Sequence, residues 1–193
     1  MKGMFEIRWH GRGGQGSKTA SILLAKIAAA SGNYVQAFPE YGPERMGAPV
    51  LAYTRINNHP IHLHCQIEEP DLVVVLDPTL IGAVDVTANL SKGGDLIINS
   101  EKEPGQLKDT LGTGDDIKLF TVDANQISEE EIGRVFPNTP MLGAINKVIN
   151  WLELTRFTEL AGEELKRKFS GKAEVVFGNL RAIERAYQEV KGL

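Results

Sequence analysis

The chain has 193 residues, 42% of them hydrophobic, and a formal net charge of −4. That length and apolar content build one globular domain, and the mildly acidic balance with dispersed Lys and Arg excludes a basic, aromatic-interleaved nucleic-acid surface. A single cysteine, Cys65, excludes an internal disulfide, and with it any iron–sulfur cluster or multi-cysteine zinc site held by this chain alone.

Met4-Phe5-Glu6-Ile7-Arg8-Trp9 reads as a short strand. No signal peptide precedes it and no apolar run approaches the ~18 residues of a membrane helix, so a soluble, cytoplasmic protein is expected. The strand runs into Gly11-Arg12-Gly13-Gly14-Gln15-Gly16, and a helix over 17–30 follows. A glycine turn ahead of a helix points backbone N–H groups and a positive dipole end at one spot, which suits a phosphate. Gly11, Gly13 and Gly16 match G-x-G-x-x-G, but the second strand, 34–38, carries no acid for a ribose, and Glu40 lies beyond Pro39. The run also approaches a P-loop, with Ser17 intruding so that Lys18 comes one position late, about 100° around the helix. A dinucleotide site, a displaced P-loop and a turn that needs glycines only for packing all remain open at this point.

The helix over 17–30 is apolar on nearly every side and is expected to be covered all round. The segment Phe38 to Pro49 has three prolines and two glycines within it besides Tyr41, Glu44 and Arg45, so it is a long rigid connection at the sheet edge where sites form. Residues 50–56 alternate and meet a turn at Asn57-Asn58-His59-Pro60, which predicts an antiparallel hairpin with 61–65. His62 and His64 then share one face as half of a metal site, although no acid completes the set. The apolar runs 72–76 and 95–99 read as strands buried on both faces, 119–122 as a weaker third, with helices between them. Asp77 before Pro78 reads as a helix N-cap.

Beyond residue 125 the chain becomes helical. Ser128-Glu129-Glu130-Glu131 predicts a capping box opening a short helix. Asn138 or Thr139 caps a second that runs through Leu154, with Pro140 at its first position. Ala173, Val176, Phe177, Leu180, Ile183, Tyr187 and Val190 form the stripe of a last helix. The expected fold is α/β: a three-layer α/β/α single domain with a mixed, mainly parallel sheet, an antiparallel hairpin and a Rossmann-like start, its α/β core over 3–125 and a helical part over 126–193.

The opening run Ile7 to Gly16, the loop Pro39-Glu40-Tyr41-Gly42-Pro43-Glu44-Arg45-Met46-Gly47-Ala48-Pro49 and the strand Asp71 to Pro78 together resemble the gamma subunits of 2-oxoacid:ferredoxin oxidoreductases, most of all the pyruvate branch, pyruvate synthase. The resemblance covers roughly residues 3–190. It implies a complex of alpha, beta, gamma and delta chains that turns pyruvate, coenzyme A and oxidised ferredoxin into acetyl-CoA, CO2 and reduced ferredoxin. It further implies thiamine diphosphate, Mg and iron–sulfur clusters on the other chains, and no activity of this chain alone. Under the resemblance, Gly13, Gly14, Gln15, Gly16, Lys18 and Arg45 help hold coenzyme A phosphates, with a structural role at the alpha-subunit interface as the competing reading. Gamma chains of branched-chain, 2-oxoglutarate and indolepyruvate enzymes, an independent Rossmann-type oxidoreductase and a small nucleotide-binding regulatory module are the alternatives. The subunit reading predicts bare apolar surface on the 17–30 helix or on the loop after Phe38.

Overall fold

The structure, a computed structural model, describes residues 3–40, 47–112 and 116–192. Strand β1 (Phe5–Arg12) leads into helix α1 (Ser17–Ala30), then β2 (Tyr34–Pro39) and β3 (Pro49–Asn57). Next come β4 (Leu72–Val75), β5 (Asp95–Asn99), α2 (Pro104–Leu111) and β6 (Lys118–Val122). Helices α3 (Ala124–Ile132), α4 (Pro140–Val148), α5 (Leu154–Lys168) and α6 (Ala173–Glu189) precede a short β7 (Lys191–Gly192). The seven strands form one sheet in the order β2-β3-β1-β4-β5-β6-β7. Strands β1, β4, β5 and β6 are mutually parallel, whereas β3 is antiparallel to both β1 and β2, and β7 to β6.

Alternation along the strands divides the core into two layers. Ile7, Trp9, Leu72, Val74 and Ile97 face α1, α4, α5 and α6, and Val73, Val75, Leu96 and Ile98 face Leu80, Val86 and Leu107 of α2. The α/β/α expectation therefore holds, with a thin second layer. Between β4 and β5 there is only one 3-10 turn, Pro78–Leu80, in place of a helix. Fully buried Trp9 donates its indole N–H to Thr54 Oγ1 at 3.0 Å, and Thr54 donates in turn to the Ser21 carbonyl at 3.2 Å. One polar chain thus bolts β1, β3 and α1 together inside an apolar layer, where an unpaired polar group costs about 1–3 kcal/mol.

The predicted hairpin between 50–56 and 61–65 does not form. Both edges of β3 are already taken, by β1 (Phe5↔Ile56 to Arg12↔Pro49) and by β2 (Tyr34↔Asn57 to Pro39↔Ala52), so no edge is left for 61–65. That segment lies as coil over the sheet, held by side chains instead. Arg55 donates to the Cys65 and Gln66 carbonyls at 2.9 and 3.1 Å, and Gln36 Nε2 to the Leu63 carbonyl at 2.8 Å. His62 and His64 are consequently exposed on coil rather than paired on a strand.

The helical part departs from expectation in three places. Helix α3 begins four residues earlier than Ser128, because Asp123 caps it by accepting from the Gln126 N–H at 2.9 Å. Ser128 sits inside, donating to the Asn125 carbonyl and accepting from the Phe136 N–H. The helix expected through Leu154 stops at Val148, since Asn146 bonds both the N–H and the carbonyl of Leu152, and Asn150 turns left-handed at φ 45°. A separate α5 follows, in a stretch between Leu154 and Ala173 for which the sequence reading names no element. On α6, Ala173 and Phe177 of the predicted stripe are exposed, and the inward face is Val176, Gly178, Asn179, Ala182, Ile183 and Ala186. Small residues let the helices approach: a Cβ on Gly178 would lie 2.4 Å from the Glu131 carbonyl oxygen, and one on Gly143 of α4 would lie 2.0 Å from that of Ile183. Helix α1 is covered on its far side by α5, so of the two places where bare apolar surface is expected the helix does not supply it, and the loop after Phe38 lies, over 41–46, outside the described residues.

The second face of β1 and β3 is polar. Glu6, Arg8 and His10 alternate with the apolar face of β1, and Arg55 of β3 pairs with Glu6 at 2.6 Å while 1% exposed. His10 is 5% exposed, and burial, with Arg8 adding to it, pushes its imidazole down to about 4.

Two expectations follow from the packing. Gly143→Ala drives a methyl group into the α6 backbone and lowers the unfolding free energy by about 2 kcal/mol, read by urea titration. Because His10 is harder to protonate folded than unfolded, the unfolded chain binds the proton first. Stability is complete above about pH 6.5 and falls as the pH drops from there toward 4, by about 3 kcal/mol in total. Titrating stability against pH in His10→Gln shows a shallower acid limb by that amount.

Candidate functional site

Strands β1, β4, β5 and β6 end at the same edge of the sheet, and the glycine turn sits there between β1 and α1. Two of its glycines are needed for contact. A Cβ on Gly11 would lie 2.1 Å from Ser17 Oγ, and one on Gly16 would lie 2.8 Å from Asn138 Nδ2. Gly16 also caps α1 from a left-handed backbone (φ 85°) without any side-chain cap. Gly14 is different: it is exposed, has φ 99°, and has open space where a side chain would be. Gly13 is fixed by pairing with the approach to β3, donating to the Ala48 carbonyl at 2.9 Å and accepting from the Gly47 N–H at 3.2 Å.

Gln15 turns back into the protein. Its carbonyl oxygen accepts from the Arg12 N–H at 2.8 Å, and its amide donates to Asp77 Oδ2 at 2.5 Å. Asp77 caps the turn after β4 as expected, accepting from the Thr79 N–H at 2.9 Å and hydroxyl at 2.7 Å. Burial opposes its charge, but the Thr79 and Gln15 hydrogen bonds and the Arg12 guanidinium, 3.3 Å away, together hold its carboxyl below the ordinary range. Arg12 also donates to Thr79 Oγ1 and to the Gly47 carbonyl. The end of β1, the start of β3 and the end of β4 are thus joined through one guanidinium.

At the start of α1, no acceptor among the described residues reaches the N–H groups of Ser17 and Thr19, and the buried Ser17 Oγ has no partner. Lys18 is exposed on this first turn. Open donors, an unobstructed Gly14 and a lysine at a helix N-terminus are what an anionic group needs. The structure brings Gly13, Gly14, Gly16 and Lys18 together there, and it uses Gln15 as a latch behind them. Arg45, with Tyr41 and Glu44, lies outside the described residues. A cavity of about 590 Å³ continues along the same edge, lined by Thr79, Asn99, Ser100, Lys102, Asn125 and Gln126. Arg12 and this cavity escaped the sequence reading. Arg12 stands inside the glycine run itself and was the available signal, while the cavity depends on strand order.

The dinucleotide reading fails on topology as well as on its missing acid. In a doubly wound nucleotide fold the second strand lies beside the first; here β3 separates them. Glu40 is engaged elsewhere, accepting from the Tyr53 hydroxyl at 2.8 Å. The chemistry of clusters and of metal-bound diphosphates also does not fit what is present. One cysteine cannot hold an iron–sulfur cluster, and among the described residues no three His, Cys, Asp or Glu side chains converge on a cation position. No helix of the described chain is long and apolar enough to cross a membrane.

Residues 6–189 match the family model for pyruvate ferredoxin/flavodoxin oxidoreductase. The chain is 46% identical over 188 residues to the pyruvate/ketoisovalerate oxidoreductases common subunit gamma of Pyrococcus furiosus, covering 97% of this chain and 98% of that one. It is 44% identical over 190 residues to the pyruvate synthase subunit PorC of Thermotoga maritima, covering 98% and 96%. The crystal structure of the Thermotoga maritima pyruvate oxidoreductase subunit PORC (EC 1.2.7.1) superposes with a TM-score of 0.84 at 43% identity over 99% of both chains. Matched along nearly its whole length by the family model and by these relatives, the chain belongs to the pyruvate ferredoxin/flavodoxin oxidoreductase family.

Proposed function

We propose that this chain is the gamma subunit of a cytoplasmic, multi-subunit 2-oxoacid:ferredoxin oxidoreductase, acting on pyruvate together with alpha, beta and delta chains. The observation that carries the reading is the end-to-end match to gamma chains of this family in length as well as in sequence. Supporting it, a single cysteine leaves any iron–sulfur cluster to other chains of the assembly. Ketoisovalerate is a second oxoacid with a specific observation in its favour: a relative at 46% identity is named as a gamma subunit common to both oxidoreductases. One gamma chain serving two enzymes means that the oxoacid is selected elsewhere in the assembly.

Within that complex, the N-terminus of α1 binds a phosphate of coenzyme A. Gly14 and Gly16 supply backbone, Gly13 anchors the turn to the approach of β3, Lys18 and Arg45 supply charge, and Gln15 with Arg12 holds the turn in shape against Asp77. A guanidinium grips phosphate through two parallel bonds, and a lysine acts as a point charge. The chain's contribution is to bind and orient the thiol substrate; no bond is made or broken on its own side chains.

Lys18→Ala and Arg45→Ala in the reconstituted enzyme each raise the coenzyme A KM about tenfold, near 1.4 kcal/mol, with kcat at low oxoacid demand little changed. An unchanged KM together with a complex that falls apart on gel filtration assigns the turn to the subunit interface instead. Purified alone, the chain shows no cluster absorbance and no turnover. Affinity capture of the tagged chain from its host recovers chains with ferredoxin-type cysteine motifs, and capture of none defeats the subunit reading.

A further inference from the structure

The polar face of β1 and β3, on the side of the sheet away from α1, walls a second cavity of about 500 Å³. Arg8, His10 and Tyr53 form its polar floor, and Leu51, Leu80 and Val84 its apolar sides. Arg8 is 7% exposed. Its Nη2 donates to the Val86 and Ala88 carbonyls at 3.2 and 2.5 Å, and its Nε to His10 Nε2 at 3.1 Å. Among the described residues no carboxylate lies within ion-pair distance of it, in contrast to Arg55, which has Glu6, and Arg12, which has Asp77. The two carboxylates of the cavity are engaged elsewhere: Glu40 accepts from the Tyr53 hydroxyl, and Asp85, at the exposed rim, from the N–H and hydroxyl of Thr87.

A buried guanidinium with no carboxylate in contact is costly, because desolvation removes several kcal/mol that a contacting anion restores, and the rim carboxylate of Asp85 offsets this only from a distance. Three neutral partners satisfy the geometry of Nε and Nη2, not the charge. Nη1 makes no hydrogen bond among the described residues. His10, accepting on Nε2, carries its proton on Nδ1, a second donor with no partner among the described residues. Burial pushes the imidazole down to about 4, so the ring is neutral near pH 7 and adds no second charge. Two donors without partners among the described residues, on a guanidinium that no carboxylate contacts and on its imidazole neighbour, therefore belong to side chains lining a cavity whose sides are apolar.

We infer that this cavity is a binding site for a small organic anion, whose headgroup meets Arg8 Nη1 and His10 Nδ1 and whose short apolar tail packs against Leu51, Leu80 and Val84. The headgroup chemistry, a carboxylate or a phosphate, is shared by several classes of metabolite. The apolar sides favour a carboxylate on a short branched chain over a bare inorganic ion. The site differs from the proposed coenzyme A turn in its residues, since Arg8 and His10 stand within β1 and Gly13 to Lys18 lie beyond its end, and either reading can fail without the other.

The test uses the full-length chain, with isovalerate and inorganic phosphate as probes and the Arg8 Nε–H and His10 ring signals followed by NMR. Isovalerate binds with a Kd on the order of 1 mM and shifts both signals. Stronger binding of phosphate than of isovalerate assigns the headgroup as phosphate, and the reverse order as carboxylate. Arg8→Met weakens binding at least about tenfold. Should that variant not fold, Val84→Asp, at a rim position 36% exposed, places a carboxylate over the cavity and blocks the probes while leaving the core intact. Signals unmoved by either probe at about 20 mM, twentyfold above the expected Kd, overturn the inference, as does undiminished binding to folded Val84→Asp.

Discussion

Asp77 is the point on which the site edge depends. It ends the buried run of β4 and is itself 8% exposed, so its charge survives only because four donors converge on it from Thr79, Gln15 and Arg12. Hydrogen bonds to a charged group are worth about 1.5–3 kcal/mol each, more than neutral ones. Those donors come from two segments, the glycine run and the turn after β4. The glycine turn can therefore be left with open backbone at Gly14, because its geometry is set from below by Gln15 rather than by anything it touches above. Rigidity and accessibility, which compete in most loops, are here assigned to different residues.

The insertion of β3 between β1 and β2 shapes everything else on that side. It removes the crevice that a dinucleotide occupies in doubly wound folds. It also gives β1 an antiparallel neighbour on one edge and a parallel one, β4, on the other. The face turned away from α1 then lacks a covering helix, and the coil over 58–71 and the turn after β4 cover it instead. A face covered by coil tolerates buried polar side chains, because coil carbonyls are free to accept from them. Arg55 and Arg8 both exploit this, reaching the carbonyls of Cys65, Gln66, Val86 and Ala88.

How much of this was legible in the chain depended on whether the cause was local. The strand–glycine–helix unit, the apolar runs of β4 and β5, the Asp77 cap and the Pro140 helix start follow from neighbours in sequence, and each stands where the residues placed it. The partner of β3 is a long-range choice between three segments of similar alternation, and nothing near 50–56 says that 34–39 outcompetes 61–65. The face of α6 was misjudged for a related reason. A hydrophobicity stripe weights Phe177 over Gly178 and Ala182, whereas the close crossing with α3 and α4 selects the smallest residues. At the glycine turn, the placement of Gly13, Gly14 and Gly16 between β1 and α1 was legible from spacing. The roles of Arg12 and Gln15 were not, because both are directed at Asp77, more than 60 positions away.

The connection over 40–48 leaves β2 and enters β3 at one edge, and its two ends are held together by the Glu40 N–H donating to the Leu51 carbonyl at 2.9 Å. Its far end is held a second time, by Gly47 and Ala48 pairing with Gly13. Loop-closure entropy grows only slowly with length, by about 0.6 kcal/mol per doubling. A change of length between these anchors therefore costs the sheet little. Members of one lineage can in this way change what the edge recognises, or which neighbouring chain it meets, while inheriting the same scaffold unaltered.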